Sequence, residues 1–204
     1  MSYTRDIVVL TKSAKNGGNC VAGIDIDTGE WVRPVRVPPQ PISDIDMRCS
    51  NSHICQPLDV VRIPFISPCP DGCQTENEQI DPMVKWIHLD TWNLSNVLNV
   101  HPAEYHDTIF GNQRYSLYEY EKDDCDFSLM LIEVENLEFF TSEDNRKTKA
   151  NFIYNNRTYR FMAVTDRAFY NNENSYPRAH LVISLPNHVP DGCNYFKFIA
   201  KVFI

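Results

Sequence analysis

The sequence predicts a mostly β protein, folded as two small β-barrels in tandem with long irregular connections and one or two short helices. Three observations carry this: short β-branched and aromatic runs recur along the chain, turn chemistry separates them, and almost nowhere do apolar residues keep a helical period.

Taken in order, residues 6–11 (DIVVLT) read as a strand and residues 12–19 (KSAKNGGN) as a polar loop. Residues 20–26 alternate loosely, and Asp27-Thr28-Gly29 ahead of residues 30–35 carries the glycine-ended chemistry of a short hairpin. Pro34, Pro38, Pro39 and Pro41 end the pairing, because each removes a backbone donor. Residues 42–57 are irregular, with one helical turn near 43–48, and residues 58–65 (LDVVRIPF) resume strand character. After a long polar connection, Asp90 caps a short helix over residues 90–98, halted at His101-Pro102. Strands follow at 127–140, 150–154, 158–165, 180–185 and 195–204, the second and third joined through Asn155-Asn156-Arg157. About five strands fall on either side of residues 102–113, the number in a small Greek-key OB barrel. The expected domains are 1–105 and 106–204, the break placed to within about 15 residues.

The net charge of -8 is unevenly spread. Residues 1–65 hold 7 basic and 7 acidic side chains, residues 66–145 hold 3 and 17, and residues 146–204 hold 9 and 3. Binding to phosphates is driven by Lys and Arg displacing counterions, so the acidic total argues against strong non-specific nucleic-acid binding, while the basic C-terminal part suits an anion. No stretch reaches the roughly 20 apolar residues that span a bilayer, and the opening has too short an apolar run for a signal peptide. A cytoplasmic protein with no membrane contact is expected, its seven cysteines free thiols.

Residues 7–35 (IVVLTKSAKNGGNCVAGIDIDTGEWVRPV) resemble the opening of the dual-OB-domain family of prokaryotic proteins, with its Gly-Gly-x-Cys-x-Ala-Gly turn and Trp-x-Arg-Pro element. Weaker matches follow in order at 58–64 (LDVVRIP), 74–77 (QTEN), 115–118 (YSLY), 164–166 (VTD), 180–185 (HLVISL) and 193–200 (CNYFKFIA), so the resemblance runs nearly end to end. One departure is visible, since Cys73 stands where a histidine is usual. The resemblance implies a pair of OB-like barrels, a prokaryotic conflict or defence setting, and nucleic-acid binding by analogy of fold.

Each candidate site has a functional and a structural reading. Lys12, Ser13, Lys15, Asn16, Gly17 and Gly18 can turn ammonium groups and backbone N–H toward a phosphate, although the P-loop spacing is absent and a hairpin with positive-φ glycines explains the same residues. Trp31, Arg33 and Arg36 have the composition of a stacking and phosphate-holding surface, or of a core tryptophan with snorkelling arginines. Arg146, Lys147, Lys149, Arg157, Arg160 and Arg167 interleave with Tyr154, Tyr159 and Phe161, which suits a single-stranded nucleic-acid groove or a charge-protected edge hairpin. Cys49, His53, Cys55, Cys69 and Cys73 offer zinc-type ligands, but their spacings are not those of zinc knuckles.

No catalytic motif groups a nucleophile with a base; Glu76, Asn77 and Asp166 are the least implausible participants, and Asp166 after Thr165 reads most simply as a cap for the next turn. The leading expectation is a non-catalytic module, without cofactor or metal. It binds single-stranded nucleic acid or a nucleotide-type ligand through Lys12, Ser13, Lys15, Gly17, Gly18, Trp31, Arg33, Arg36, Arg157, Tyr159 and Arg160. The alternatives are an adaptor that meets a protein partner through the acidic middle segment, and a small nucleotide-directed hydrolase.

Overall fold

In the computed structural model, the described residues are 2–15, 17–37, 41–142, 147–189 and 194–204, with the side chains of Ala14 and Lys15 left out. They form two units, Met1–Asp71 with Thr75–Pro102, and Gly72–Gln74 with Ala103–Ile204.

In the first unit the β-branched runs form β1 (Tyr3–Lys15), β2 (Gly18–Asp25), β3 (Trp31–Val35) and β4 (Asp59–Pro68), followed by β5 (Asn77–Ile80), β6 (Ile87–Thr91) and the helix α1 (Leu94–Val100). β1 pairs antiparallel with β2 and β4, β2 with β3, and β4 with β5. A parallel pairing of β3 with β5 closes the ring, and β6 adds to the start of β4. Inside it pack Ile7, Val9, Val21, Val32, Val61, Ile63, Phe65, Ile80 and Trp86, apolar groups whose removal from water is the main favourable term in folding.

The second unit contains β7 (Ser116–Leu117), α2 (Glu119–Asp123), β8 (Leu129–Thr141), β9 (Thr148–Tyr154), β10 (Arg157–Val164), β11 (Ser175–Ser184), β12 (Tyr195–Phe196) and β13 (Phe198–Phe203). β8, β9, β10, β13 and β11 form a closed barrel, with β10 and β13 parallel. In each unit the strand order is first, second, third, fifth, fourth and back to the first, with one parallel contact between third and fifth. The mostly β class and the paired OB-like barrels read from the sequence are what the structure has.

Several boundaries differ from expectation, each for a local reason. The loop expected over 12–19 is largely strand, since Lys12, Ser13 and Ala14 pair with Val21, Cys20 and Asn19. Polar side chains do not halt a ladder made by the backbone. Gly18 packs so closely on Pro41 and the Ile42 carbonyl that a Cβ there would lie 2.7–2.8 Å from them. The helix cap is Asn93 rather than Asp90: Asn93 and Asn96 accept each other's backbone N–H, while Asp90 lies in β6 opposite Val60. β5 and β6, hidden in a polar stretch, were not legible as strands. The turn at 43–48 is present, with the Ser43 carbonyl accepting from Met47 N–H and Asp46 accepting from Ser43 N–H.

The expected final strand is two, β12 and β13, separated by Lys197. This lysine is 0% exposed, and its ammonium donates to the Ile109 carbonyl (2.5 Å), the Asn112 carbonyl (2.8 Å) and Asn112 Oδ1 (2.8 Å). Three acceptors match the three N–H groups of the charged form, while burial pushes the ammonium down to about 7. Among the described residues no helix is long and apolar enough to cross a membrane.

Lys197→Met takes the ammonium away from the Ile109 and Asn112 carbonyls, while Asn112 Oδ1 keeps the Arg114 N–H, and is expected to cost about 3 kcal/mol in chemical denaturation. In the unfolded chain this lysine keeps its proton until about pH 10.5, whereas in the fold it loses it near 7. The unfolded state therefore binds the extra proton between those limits, and this group's contribution to stability rises with pH across that window. The difference between wild type and Lys197→Met, followed by denaturation from pH 6 to 10, checks the sign.

Candidate functional site

The structure separates the sequence candidates into those occupied inside the fold and those on a surface. In the first barrel most are occupied. Arg33, read as a ligand contact, is 4% exposed: its Nε and Nη2 reach Glu76 Oε1 at 2.9 and 2.8 Å, and its Nη1 lies 3.2 Å from Cys20 Sγ. Arg36 pairs with Asp46 at 3.4 Å, Lys12 with Asp44 at 3.3 Å, and Ser13 is buried. Trp31 is half-buried and meets the His101 ring edge-on at 5.3 Å, while His101 Nδ1 donates to the Gly29 carbonyl, fastening the end of α1 to the β2–β3 turn. Gly17, at φ +83, makes the hairpin turn. The Arg33 guanidinium is taken up by Glu76 and Cys20, Ser13 is buried, and Gly18 packs on Pro41 and Ile42, which supports the structural readings of all three. Asn16, Arg146 and Cys193, and the side chain of Lys15, lie outside the described residues.

The least implausible catalytic residues are also engaged. Glu76 holds Arg33, and Asn77 is buried in β5. Asp166 accepts from Ala168 N–H, as a cap should, and also from Lys201 Nζ (2.9 Å) and Val202 N–H. The cysteine-based zinc set does not assemble among the described residues. Cys49 and Cys55 lie in the first core, where burial raises their thiol pKa, and Cys73 lies in the second core. The metal-type group that assembles among the described residues is His53 with Asp59 and His88.

The second barrel presents a different surface. Alternation places Tyr159 and Phe161 on one side of β10, but the register slips between Tyr159 and Met162, so Arg160 and Phe161 both lie opposite Asn151. Tyr159 points inward, 0% exposed, its hydroxyl accepting from Ile109 N–H; this corrects its place in the ligand set. Phe161 is turned out, 50% exposed, at φ +61, with its N–H held by Asn151 Oδ1. A bulky residue in left-handed backbone is strained, and such strain concentrates where a site requires it. Phe140 stands edge-on to Phe161 at 5.9 Å, and Lys149 Nζ lies 5.8 Å from the Phe161 ring centre.

Arg157 and Arg160 are exposed and form no ion pair with a described residue. Beside them runs a groove of about 430 Å³ lined by Asn151, Ile153, Thr158, Arg160, Tyr176 and Glu138. Its lining comes from β8, β9, β10 and β11, and so includes the second and third strands of the ring, whose face OB barrels offer to oligonucleotides and oligosaccharides.

Fold and surface define the class, an OB-fold binding module. A family model for the dual OB-containing domain matches residues 5–202, nearly the whole chain, and the protein belongs to that family. No curated protein and no solved structure matches it.

The buried pair generates a prediction. Arg33→Ala removes the cation from the buried Glu76 carboxylate and is expected to cost about 3–5 kcal/mol in urea denaturation, whereas Arg36→Ala, at a partly exposed pair, costs about 1 kcal/mol or less.

Proposed function

We infer that the protein binds single-stranded nucleic acid, or a nucleotide-type ligand, across the outer face of β8, β9 and β10. The observation that carries this reading is Phe161, a large aromatic side chain turned into solvent by a bulge and flanked by Phe140, Lys149 and Arg160. Every base has a face to stack on an aromatic ring, and the flanking cations supply phosphate contact without reading sequence. Glu138 at the groove disfavours phosphate on its own side, so the backbone is expected to run along the Lys149 and Arg160 side. No catalytic group belongs to this reading.

A second reading, an adaptor that engages a protein partner, is favoured by the 17 acidic against 3 basic side chains in residues 66–145. The two separate by salt. Phosphate binding weakens steeply as salt rises, and salt-insensitive co-purification supports the adaptor.

Fluorescence anisotropy with short single-stranded DNA and RNA at low and moderate salt tests the first reading. Phe161→Gly is expected to weaken binding about five- to 150-fold, the equivalent of 1–3 kcal/mol of stacking. The same change relieves the left-handed backbone and leaves the melting temperature unchanged or raised. Arg160→Ala is expected to lower the salt slope by about one. Absence of binding at low salt overturns the reading.

A further inference from the structure

On the first barrel, away from the residues invoked above, His53, Asp59, His88 and Thr91 converge. Asp59 opens β4 and is 3% exposed. Its Oδ2 accepts from Gln56 N–H (2.8 Å) and lies 2.6 Å from His53 Nε2; its Oδ1 accepts from the Thr91 hydroxyl (3.0 Å) and lies 3.4 Å from His88 Nε2. His88 Nε2 is also 3.3 Å from Thr91 Oγ1. The ligand atoms of His53, Asp59 and His88 all lie within 4.8 Å of one another.

Two backbone features bring this about. His88 and Thr91 are three apart on β6 and would face opposite sides of a regular strand. The register shifts between Val60 and Val61, which pair with Asp90 and His88, so Leu89 is an extra residue. That bulge returns His88 to the side of Thr91 and Asp59, and bulges that re-aim a side chain are common beside functional sites. In addition, Leu58, just before Asp59, sits at φ +76, a strained conformation for a branched side chain.

We propose that His53, Asp59 and His88 form a binding site for a divalent transition-metal ion. Two imidazole nitrogens and one carboxylate are the donor set of open zinc and iron sites, and both rings offer the same nitrogen, Nε2. Satisfying Asp59 alone does not require two imidazoles, because Gln56 N–H and the Thr91 hydroxyl already donate to its two oxygens. Zinc holds such ligands at about 2.0–2.2 Å, so neighbouring donors stand roughly 3–3.4 Å apart. The His88–Asp59 distance already meets this, and the His53–Asp59 distance opens by under about 1 Å when the cation replaces the shared proton. That proton moves to Nδ1 or leaves to solvent, so that each Nε2 offers a lone pair. The histidine side chains are 38% and 23% exposed, which leaves a route of entry and a position for water or the Thr91 hydroxyl.

Isothermal titration of the chelator-treated full chain with Zn²⁺ alone tests the proposal. The expected result is one bound equivalent that His53→Gln and His88→Gln each weaken by roughly tenfold or more, and that Cys69→Ser and Cys125→Ser leave intact. Imidazole NMR of the wild type gives an independent reading, with Zn²⁺ shifting His53 and His88 and sparing His106 and His188. The proposal is overturned if the wild type takes up no zinc, if both histidine variants bind it as tightly as the wild type, or if only the cysteine variants lose an equivalent.

Discussion

Each barrel closes through one parallel contact, third strand to fifth, and each closure is held by a charge pair. In the first, Arg33 of β3 reaches the carboxylate of Glu76, which precedes β5, while its backbone N–H donates to the Glu76 carbonyl. In the second, Asp166, just past β10, accepts from Lys201 and Val202 on β13, beside the Thr165 bond to Ile199. Parallel pairing joins segments far apart in sequence, so the chain must bear the cost of closing a long loop before any ladder bond returns it. A hydrogen-bonded pair at the seam also specifies one register, because a slip by one residue would leave a buried charge unmatched.

With the rings closed, the side of each strand that meets solvent is decided, and the two barrels diverge. In the first, Arg5, Lys12, Arg33, Arg36 and Arg62 are all turned to carboxylates. In the second, Arg157 and Arg160 are exposed on the strand that turns Phe161 into solvent against a half-buried Phe140. One fold thus supplies two surfaces of different chemistry, an aromatic and basic face on one barrel and a histidine–carboxylate cluster on the other. Both rest on a bulge, at Arg160-Phe161 and at Leu89, where one inserted residue reverses which side chains share a face.

The β class, most long strands and the paired-barrel plan were legible because they follow from local properties: β-branched runs, hairpin turns such as Asp27-Thr28-Gly29, and motif order along the chain. Less was legible where a polar segment forms a strand through its partner, as in β5 and β6, or where two candidate caps compete, as Asp90 and Asn93 do. Among site residues, Arg157 and Arg160 are exposed, while Arg33, Ser13 and Tyr159 lie in the interior.

By itself the sequence determined what each segment can become, since backbone preference and apolar content act over a few neighbouring residues. Only the tertiary structure decided which side chains face water and which meet. Arg33 finds Glu76 across 43 positions, His53 and His88 meet edge-on at 4.6 Å over Asp59, and Phe161 leaves the side of Tyr159 because of a register slip. Each of these depends on pairing between distant strands, which no local pattern encodes.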